Sequence, residues 1–466
     1  MTGTRKIPPC ENKMGVMPVG RLLFTMALPM IISMLVQALY NIVDSIFVSM
    51  YDPALLSAIS LAFPAQNLMI GVASGTAVGI NALLSRSLGE RNGARANKSA
   101  GNGLVLVAAG CVIFVFFGLF FAEPFLRFQS SDAATVEAGR QYLFYVCTFS
   151  FGLFGQILFE RLLQSTGKTV YSMISQMTGA IINIILDPIL IFGWLGLPRM
   201  GIAGAAIATV IGQVIAASVG AFLHFRFNRE IRISVRELKP EREVVARIVS
   251  VAVPSILMVC IGSVMTVGLN RIFDGFGADG LTATGVFGAY FKLQSFIFMP
   301  VFGLNNGLVP IVAYNYGAGK RSRMLLALRY AVTVAVLLML LGLILMQAIP
   351  GPLLRLFNAD ETMLGIGIPA LRTISLSFVF AGFCIVASSS FQALGKGLYS
   401  TVLSFARQLV VLLPAAYLLS LSGKLSAVWW AFPIAELASV TVAVILFLRL
   451  YKTTIRQIPD NRSYHN

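Results

Sequence analysis

Twelve apolar stretches follow one another along this chain, at roughly residues 21–47, 55–80, 100–122, 140–163, 170–194, 201–225, 246–270, 282–307, 326–349, 367–390, 399–420 and 427–450. Each is about as long as the 20 residues a helix needs to cross a bilayer. In hydrocarbon the backbone must satisfy its own hydrogen bonds, so such segments become helices. Short polar or Gly/Pro-bearing connections separate them, and the polar stretch from Arg226 to Arg247 divides them six and six. The expected fold class is therefore all-α and integral to a membrane: twelve transmembrane helices in two six-helix bundles. Residues 1–228 form the first lobe, 229–245 a cytoplasmic linker, and 246–466 the second lobe with a cytoplasmic tail. The first span is too long for a cleaved signal and no small-x-small site follows it, so it is expected to remain as an anchor.

Composition agrees. Of 466 residues 57% are hydrophobic and only 12% charged, against about 25% in an average soluble protein, and the mean hydropathy is +0.83. This excludes a disordered chain and a secreted disulfide scaffold. Cys10, Cys111, Cys147, Cys260 and Cys384 are scattered singly with no CxxC spacing, and His224 and His465 are the only histidines. Histidine catalysis and histidine metal sites are thus nearly excluded.

A net charge of +16 invites a nucleic-acid reading, which the positions of the charges remove. With the N-terminus inside, 26 of the 35 Lys and Arg residues fall on cytoplasmic segments, from Arg5, Lys6, Lys13 and Arg21 to Arg449, Lys452, Arg456 and Arg462. Seven fall outside, and Lys292 and Arg407 lie within spans. That is a positive-inside pattern, which orients a membrane protein with both termini cytoplasmic.

The halves repeat. Gln164-Ser-Thr-Gly-Lys-Thr-Val-Tyr-Ser172 returns as Gln392-Ala-Leu-Gly-Lys-Gly-Leu-Tyr-Ser400, an offset of 228. The same offset relates Gln66 to Gln294, Gly75 to Gly303, Gly79 to Gly307 and Gly89 to Gly317, and Ala27-Leu-Pro29 answers Ala252-Val-Pro254 at 225. Six spans per half is even, so the repeats run parallel, related by a pseudo-two-fold axis along the membrane normal.

Gly167-Lys168-Thr169 looks like the end of a phosphate loop, but Leu162 stands where its first glycine belongs. Ser165 to Lys168 fits SxxK without any partner motif. Both read as the tight loop after span 4, repeated after span 10. Without nucleotide machinery, transport would have to be secondary, driven by an ion gradient.

Polar groups inside spans are costly and mark function. In span 1, Gln37, Tyr40, Asn41 and Asp44 sit at i, i+3, i+4 and i+7, one stripe on an apolar helix below Pro29. In span 5, Gln176, Asn183 and Asp187 share a face, with Pro188 next; Thr209 of span 6 is a third contributor. Carboxylates withdrawn from water take up a proton or a cation readily. The expectation is that Asp44 and Asp187 serve ion coupling or substrate binding; the alternative is a wetted helix end for Asp44 and a cap or kink for Asp187. Pro29, Pro188 and Pro254 are candidate bending points.

The second half carries Lys292 and Gln294 in span 8, Arg407 in span 11 and Glu436 in span 12. They are candidate cavity residues with Gln37, Asn41 and Gln176. Mutual neutralisation of Lys292, Arg407 and Glu436 is expected ahead of recognition of substrate charge. Glu160-Arg161 reads as an interfacial pair. Gly71, Gly75 and Gly79, and Gly303 with Gly307, have the spacing that lets helices pack closely.

Over nearly its whole length the sequence resembles the multidrug and toxic compound extrusion (MATE) family, in particular its DinF-like and MepA-like bacterial branch. The resemblance rests on the two six-span repeats, the Ala27-Leu-Pro29 opening, Tyr40-Asn-Ile-Val-Asp44-Ser-Ile-Phe-Val48, Ser87-Leu-Gly89 and the paired Gln-x-x-Gly-Lys loops. It implies an antiporter, not an enzyme, exporting amphipathic and often cationic drugs in exchange for protons or sodium by alternating access. Asp44 and Asp187 match the family's N-lobe aspartates, with Tyr40, Asn183 and Thr209 as neighbours; sodium would bind at Asp44, Asn183 and Asp187. The second-lobe acids of NorM-like members have no counterpart except Glu436, in a different span. The resemblance further implies a monomer in a bacterial cytoplasmic membrane, with no cofactor beyond the coupling ion. A flippase for a lipid-linked or other amphipathic anionic precursor is the rival, favoured only by Lys292 and Arg407.

Overall fold

The computed structural model describes residues 12–51, 53–130, 132–357 and 359–458, without the side chains of residues 45, 49 and 53–57. Arg5, Lys6, Cys10, Arg462 and His465 lie outside the described residues. Ten helices are long and apolar enough to cross a membrane, and two bent pairs complete twelve spans. We number them α1 (Val19–Tyr51), α2 (Pro53–Gly89), α3 (Gly93–Gln129), α4 (Ala133–Thr148 with Phe151–Ser165), α5 (Thr169–Phe192) and α6 (Ile202–Phe227). The second half comprises α7 (Arg242–Asp274), α8 (Ala278–Gly317), α9 (Arg321–Ala348), α10 (Glu361–Ser375 with Phe378–Ala393), α11 (Gly397–Ser420) and α12 (Leu425–Gln457).

The two helix breaks are not at the prolines singled out above. α1, α5 and α7 run as continuous helices through Pro29, Pro188 and Pro254. α4 bends by 45° between Thr148 and Phe151, and α10 by 50° between Ser375 and Phe378. These breaks fall at equivalent places in the two repeats. Turns of π-helix, an extra residue in the helical ladder, interrupt α3 at Phe117–Phe121 and α11 at Ala406–Leu412.

Call the end of the bundle carrying the α2–α3, α6–α7 and α10–α11 connections the base, and the opposite end the mouth. The lobes meet through α1 against α8 and α2 against α7, with α2 also touching α8. The first two pairings exchange under the repeat, as a pseudo-two-fold requires. Glycines make the approach possible. A Cβ on Gly303 would lie 2.6 Å from Ile31 Cα, one on Gly307 2.8 Å from Ala27 Cα, and one on Gly75 2.8 Å from Ile256 Cγ1. At the base itself, Gly89 abuts the Tyr314 carbonyl and Gly317 abuts the Arg86 carbonyl. Positions 86 and 314 are themselves related by 228, so one contact is made twice.

Two further features tie the base. The segment before α1 straddles the lobes: Asn12 donates to the Thr166 carbonyl at 3.1 Å and to Glu230 at 2.7 Å, while Asn315 donates to the Met14 carbonyl at 3.1 Å and Lys320 to that of Gly15 at 2.9 Å. The α6–α7 connection, expected as a polar tether, is clamped to α3. Asn102 donates to the carbonyls of Glu237 (3.1 Å) and Lys239 (3.2 Å), and accepts from the Glu241 N–H at 2.6 Å. Lys98 pairs with Glu241. From Arg242 onward the chain is already α7.

Candidate functional site

The polar stripe of α1 faces α5, as its period suggested, and α6 closes the group. Near the middle of the lobe Gln176 donates to Gln37 at 2.6 Å, and Ser33 donates to Gln176 from one turn earlier on α1. Ser33 was not singled out by the sequence, although it extends the stripe by one turn. Towards the mouth lie the two aspartates. Asp187 is fully buried and Asn183 and Thr209 nearly so. Asn183 Nδ2 stands 3.4 Å from Asp187 Oδ1 and 3.3 Å from Thr209 Oγ1. Turned over, the amide satisfies both neighbours better: its nitrogen donates to Asp187 Oδ2 and its oxygen accepts from the Thr209 N–H, both at 3.2 Å. Asn183 thereby fixes the Asp187 carboxylate against α6.

Asp44 is half-buried, and its Oδ1 is enclosed without taking a hydrogen bond from the described residues. Its carboxylate is within Coulombic reach of Asp187, and Tyr40 is within reach of both. So is Tyr142 of α4, which donates to Gln66 of α2 at 3.3 Å. No sequence signal pointed to Tyr142, because only the packing of α4 on α2 brings it there. A buried acceptor oxygen on α1, packed against the helix that carries Asp187, suits a proton or a hard cation. Among the described residues no three His, Cys, Asp or Glu side chains gather as a metal site, so a monovalent ion would be held by two carboxylates and neutral oxygens.

The second lobe has no copy of this arrangement. At the offset of 228 Asn183 and Asp187 correspond to Val411 and Ala415, and at the offset of 225 that relates Pro29 to Pro254 Asp44 corresponds to Leu269. Aromatic rings fill the interior instead: Phe273 lies 5.0 Å from Trp429 and Phe287 4.9 Å from Phe291, ring centre to ring centre.

Mutual neutralisation of the second-lobe charges holds for one pair only. Arg407, on the π turn of α11, stands 3.5 Å from nearly buried Glu436 of α12. Lys292 is elsewhere, exposed, with its ammonium 6.0 Å from the Phe357 ring centre. At 100° per residue Lys292 and Phe296 lie within about 20° of the α8 face that carries Gly303. That face is closed by α1 near the base. Higher up, where Gly285 and Gly288 have open space beside them, it is exposed. Lys292 is therefore exposed on the Gly303 side of α8, nearer the mouth. Asn41 of α1 is exposed, and Gln294 is half-buried without a hydrogen-bond partner among the described residues.

Glu160 and Arg161 are not the pair their adjacency suggested. Glu160 is buried and accepts from Gln156 at 2.9 Å, while Arg161 reaches Gln164 and, across the lobes, Asn306 of α8, each at 2.8 Å. Successive helical residues point about 100° apart, so neighbours in sequence face different partners.

The Arg407–Glu436 contact invites a double-mutant cycle. Glu436→Gln alone leaves a guanidinium uncompensated, and Arg407→Gln alone a buried carboxylate, so each lowers the melting temperature. The double variant recovers part of the loss, with a coupling energy of about 0.5–3 kcal/mol. Additive losses would show that the pair is incidental.

A helical protein of two six-span lobes, closed on each other at one end and holding a carboxylate pair inside one of them, is an integral membrane transporter. The chain belongs to the MatE family: the family model matches residues 29–189 and 254–418, one stretch in each lobe. It is 26% identical over 420 residues to a FAD transporter of Shewanella oneidensis, covering 90% of this chain and 92% of that one. It is 25% identical over 444 residues to the multidrug export protein MepA of Staphylococcus aureus, covering 94% and 96%. Among solved structures it is similar to the MATE multidrug transporter DinF-BH. That match has a TM-score of 0.86 at 30% identity, over 96% of this chain and 99% of the other. The fold and family are those expected from the sequence, and the chain is a transporter rather than an enzyme.

Proposed function

We propose that this protein is a secondary active multidrug antiporter of a bacterial cytoplasmic membrane, exporting amphipathic, often cationic compounds in exchange for protons or sodium. The observation that carries the reading is the Asp44–Asp187 pair, enclosed by α1, α5 and α6 with Tyr40, Asn183 and Thr209 around it. The relatives named as multidrug exporters support the substrate class. The base, with its basic connections, is assigned to the cytoplasm by the positive-inside pattern. The lobes are then closed inside, the arrangement in which external ions reach the aspartates. Protons or sodium bind there, substrate leaves towards the mouth, and the lobes reopen at the base with the aspartates discharging inward. Both termini lie in the cytoplasm and the working unit is a monomer.

The experiment is ethidium efflux from cells expressing the protein, with and without an ionophore. Efflux that collapses with the gradient supports the reading; efflux indifferent to both proton and sodium gradients overturns it.

A second reading has its own support: export of amphipathic anions, including lipid-linked precursors. Lys292, exposed on the Gly303 side of α8, offers a cation to such a substrate, and one relative is named a FAD transporter. Lys292→Gln separates the two. If anions are carried, it weakens their transport about tenfold, the worth of one charge-assisted hydrogen bond. If cations are carried, their efflux is unchanged or improved.

A further inference from the structure

The base holds a pocket that the transport cycle above does not use. Its volume is about 700 Å³ and it lies across the lobe boundary. Arg86 of α2, Arg247 of α7, Tyr316 of α8, Lys396 of the α10–α11 loop, and Thr454 and Gln457 at the end of α12 line it. Leucine, alanine, valine and isoleucine side chains, several glycines, Ser250 and Thr453 form the rest of the wall, so the lining is cationic at some places and greasy at others.

Acids face it too. Glu90 is shared between Arg86 at 2.8 Å and Arg95 at 3.0 Å, and Glu243 takes Arg247 at 2.6 Å. Each lining guanidinium thus has a carboxylate partner, and the positive excess of the lining comes from Lys396. Its repeat equivalent is Lys168. Lys168 is committed within its own lobe, donating to the Phe227 carbonyl at 3.0 Å and lying 3.8 Å from Glu230. Lys396 is exposed, with no carboxylate within 4.0 Å among the described residues. Arg86 is held in place by Tyr316, its guanidinium 4.6 Å from the ring centre. An ammonium with no carboxylate partner among the described residues, beside two guanidiniums held by Glu90 and Glu243 and among hydroxyl and amide side chains, is a donor set that phosphate oxygens take.

We propose that this pocket binds a phosphate-bearing anion, either the headgroup of an anionic phospholipid or a soluble phosphate ester. Because its walls come from both lobes, the complete site exists only while the base is closed. The occupant therefore favours that state, by the rule that a ligand shifts an equilibrium towards the form that binds it better. Binding itself does not depend on which ion couples transport or which drug is carried, so failure of the proposed function leaves it standing.

The test uses the full chain in neutral detergent, with binding followed by native mass spectrometry. The probes are dioctanoyl phosphatidylglycerol, dioctanoyl phosphatidylcholine and glycerol 3-phosphate. Phosphatidylglycerol is expected to bind more tightly than phosphatidylcholine and to lose about tenfold or more in Arg247→Gln/Lys396→Gln, as expected for lost charge-assisted contacts. Lys396→Arg should retain binding, and matched melting curves check that the variants fold. Glycerol 3-phosphate binding with the same dependence assigns the site to soluble phosphate; binding of phosphatidylglycerol alone assigns it to lipid. Equal binding of the two lipids, with no glycerol 3-phosphate bound, or binding unaffected by the double substitution, overturns the proposal. Spin labels across the mouth read the second half: bound anion should enrich the wide-mouth distance, and an unchanged distribution overturns the favouring of the closed base.

Discussion

Asp187→Asn is expected to reduce ion-driven export by about 5–150-fold, the range of a coupling free energy of roughly 1–3 kcal/mol, while the protein still purifies as a folded species. Asparagine has the shape of aspartate and can still meet Asn183, which stands within 3.4 Å of the carboxylate. What it loses is the charge that a proton or sodium ion would neutralise. Linkage is reciprocal, so drug affinity measured in detergent should cease to depend on pH or sodium in the variant. Asp44→Asn should act in the same direction, since the two carboxylates share one field. Because the pair sits in the N-lobe and Val411 and Ala415 occupy the equivalent places in the other, no second copy can compensate. Vesicles in which both variants retain gradient-driven efflux would show that the coupling site is elsewhere.

Gly89→Ala and Gly317→Ala should each shift the lobes away from the closed base. An added methyl would run into a backbone carbonyl, of Tyr314 or Arg86, rather than into a side chain that can rotate aside. Overpacking of this kind costs about 1–3 kcal/mol, which displaces a two-state equilibrium about 5–150-fold. The expected result is a transporter populated mainly with an open base, slow in turnover and indifferent to further loosening. Gly365→Ala is the control, because open space surrounds that position. Paired spin labels across the base would report the populations, and a wild-type distance distribution in both variants would refute the argument.

How much of this was legible beforehand varies from residue to residue. The twelve spans were, because each must be long and apolar enough for the bilayer on its own account. The lobe-packing role of Gly75, Gly79, Gly303 and Gly307 was half legible: their spacing announced close approach, but not that the partner helix belonged to the other lobe. The stripe from Gln37 to Asp44 was legible through helical period alone, and so was the face carrying Gln176, Asn183 and Asp187. That the two stripes meet was an inference from a resemblance until α1 and α5 were placed side by side. Arg407 and Glu436 share no local pattern, and Lys292, which looked like a third member of their group, stands apart. The breaks in α4 and α10 were not legible, for a physical reason. A proline inside a membrane helix removes one donor that its surroundings can compensate, whereas the breaks in α4 and α10 come from packing that the local sequence does not advertise.

The sequence by itself thus determined everything that follows from local chemistry: the helical class, the number of spans, the internal duplication, and which few polar groups lie inside the spans. Only the tertiary structure decided which of these groups share a site, that the lobes close at the base through symmetric glycine contacts, and that the α6–α7 connection is clamped to α3. Period and hydropathy are properties of one helix at a time. Which faces meet depends on packing between segments more than a hundred residues apart, as with Ser33 and Gln176.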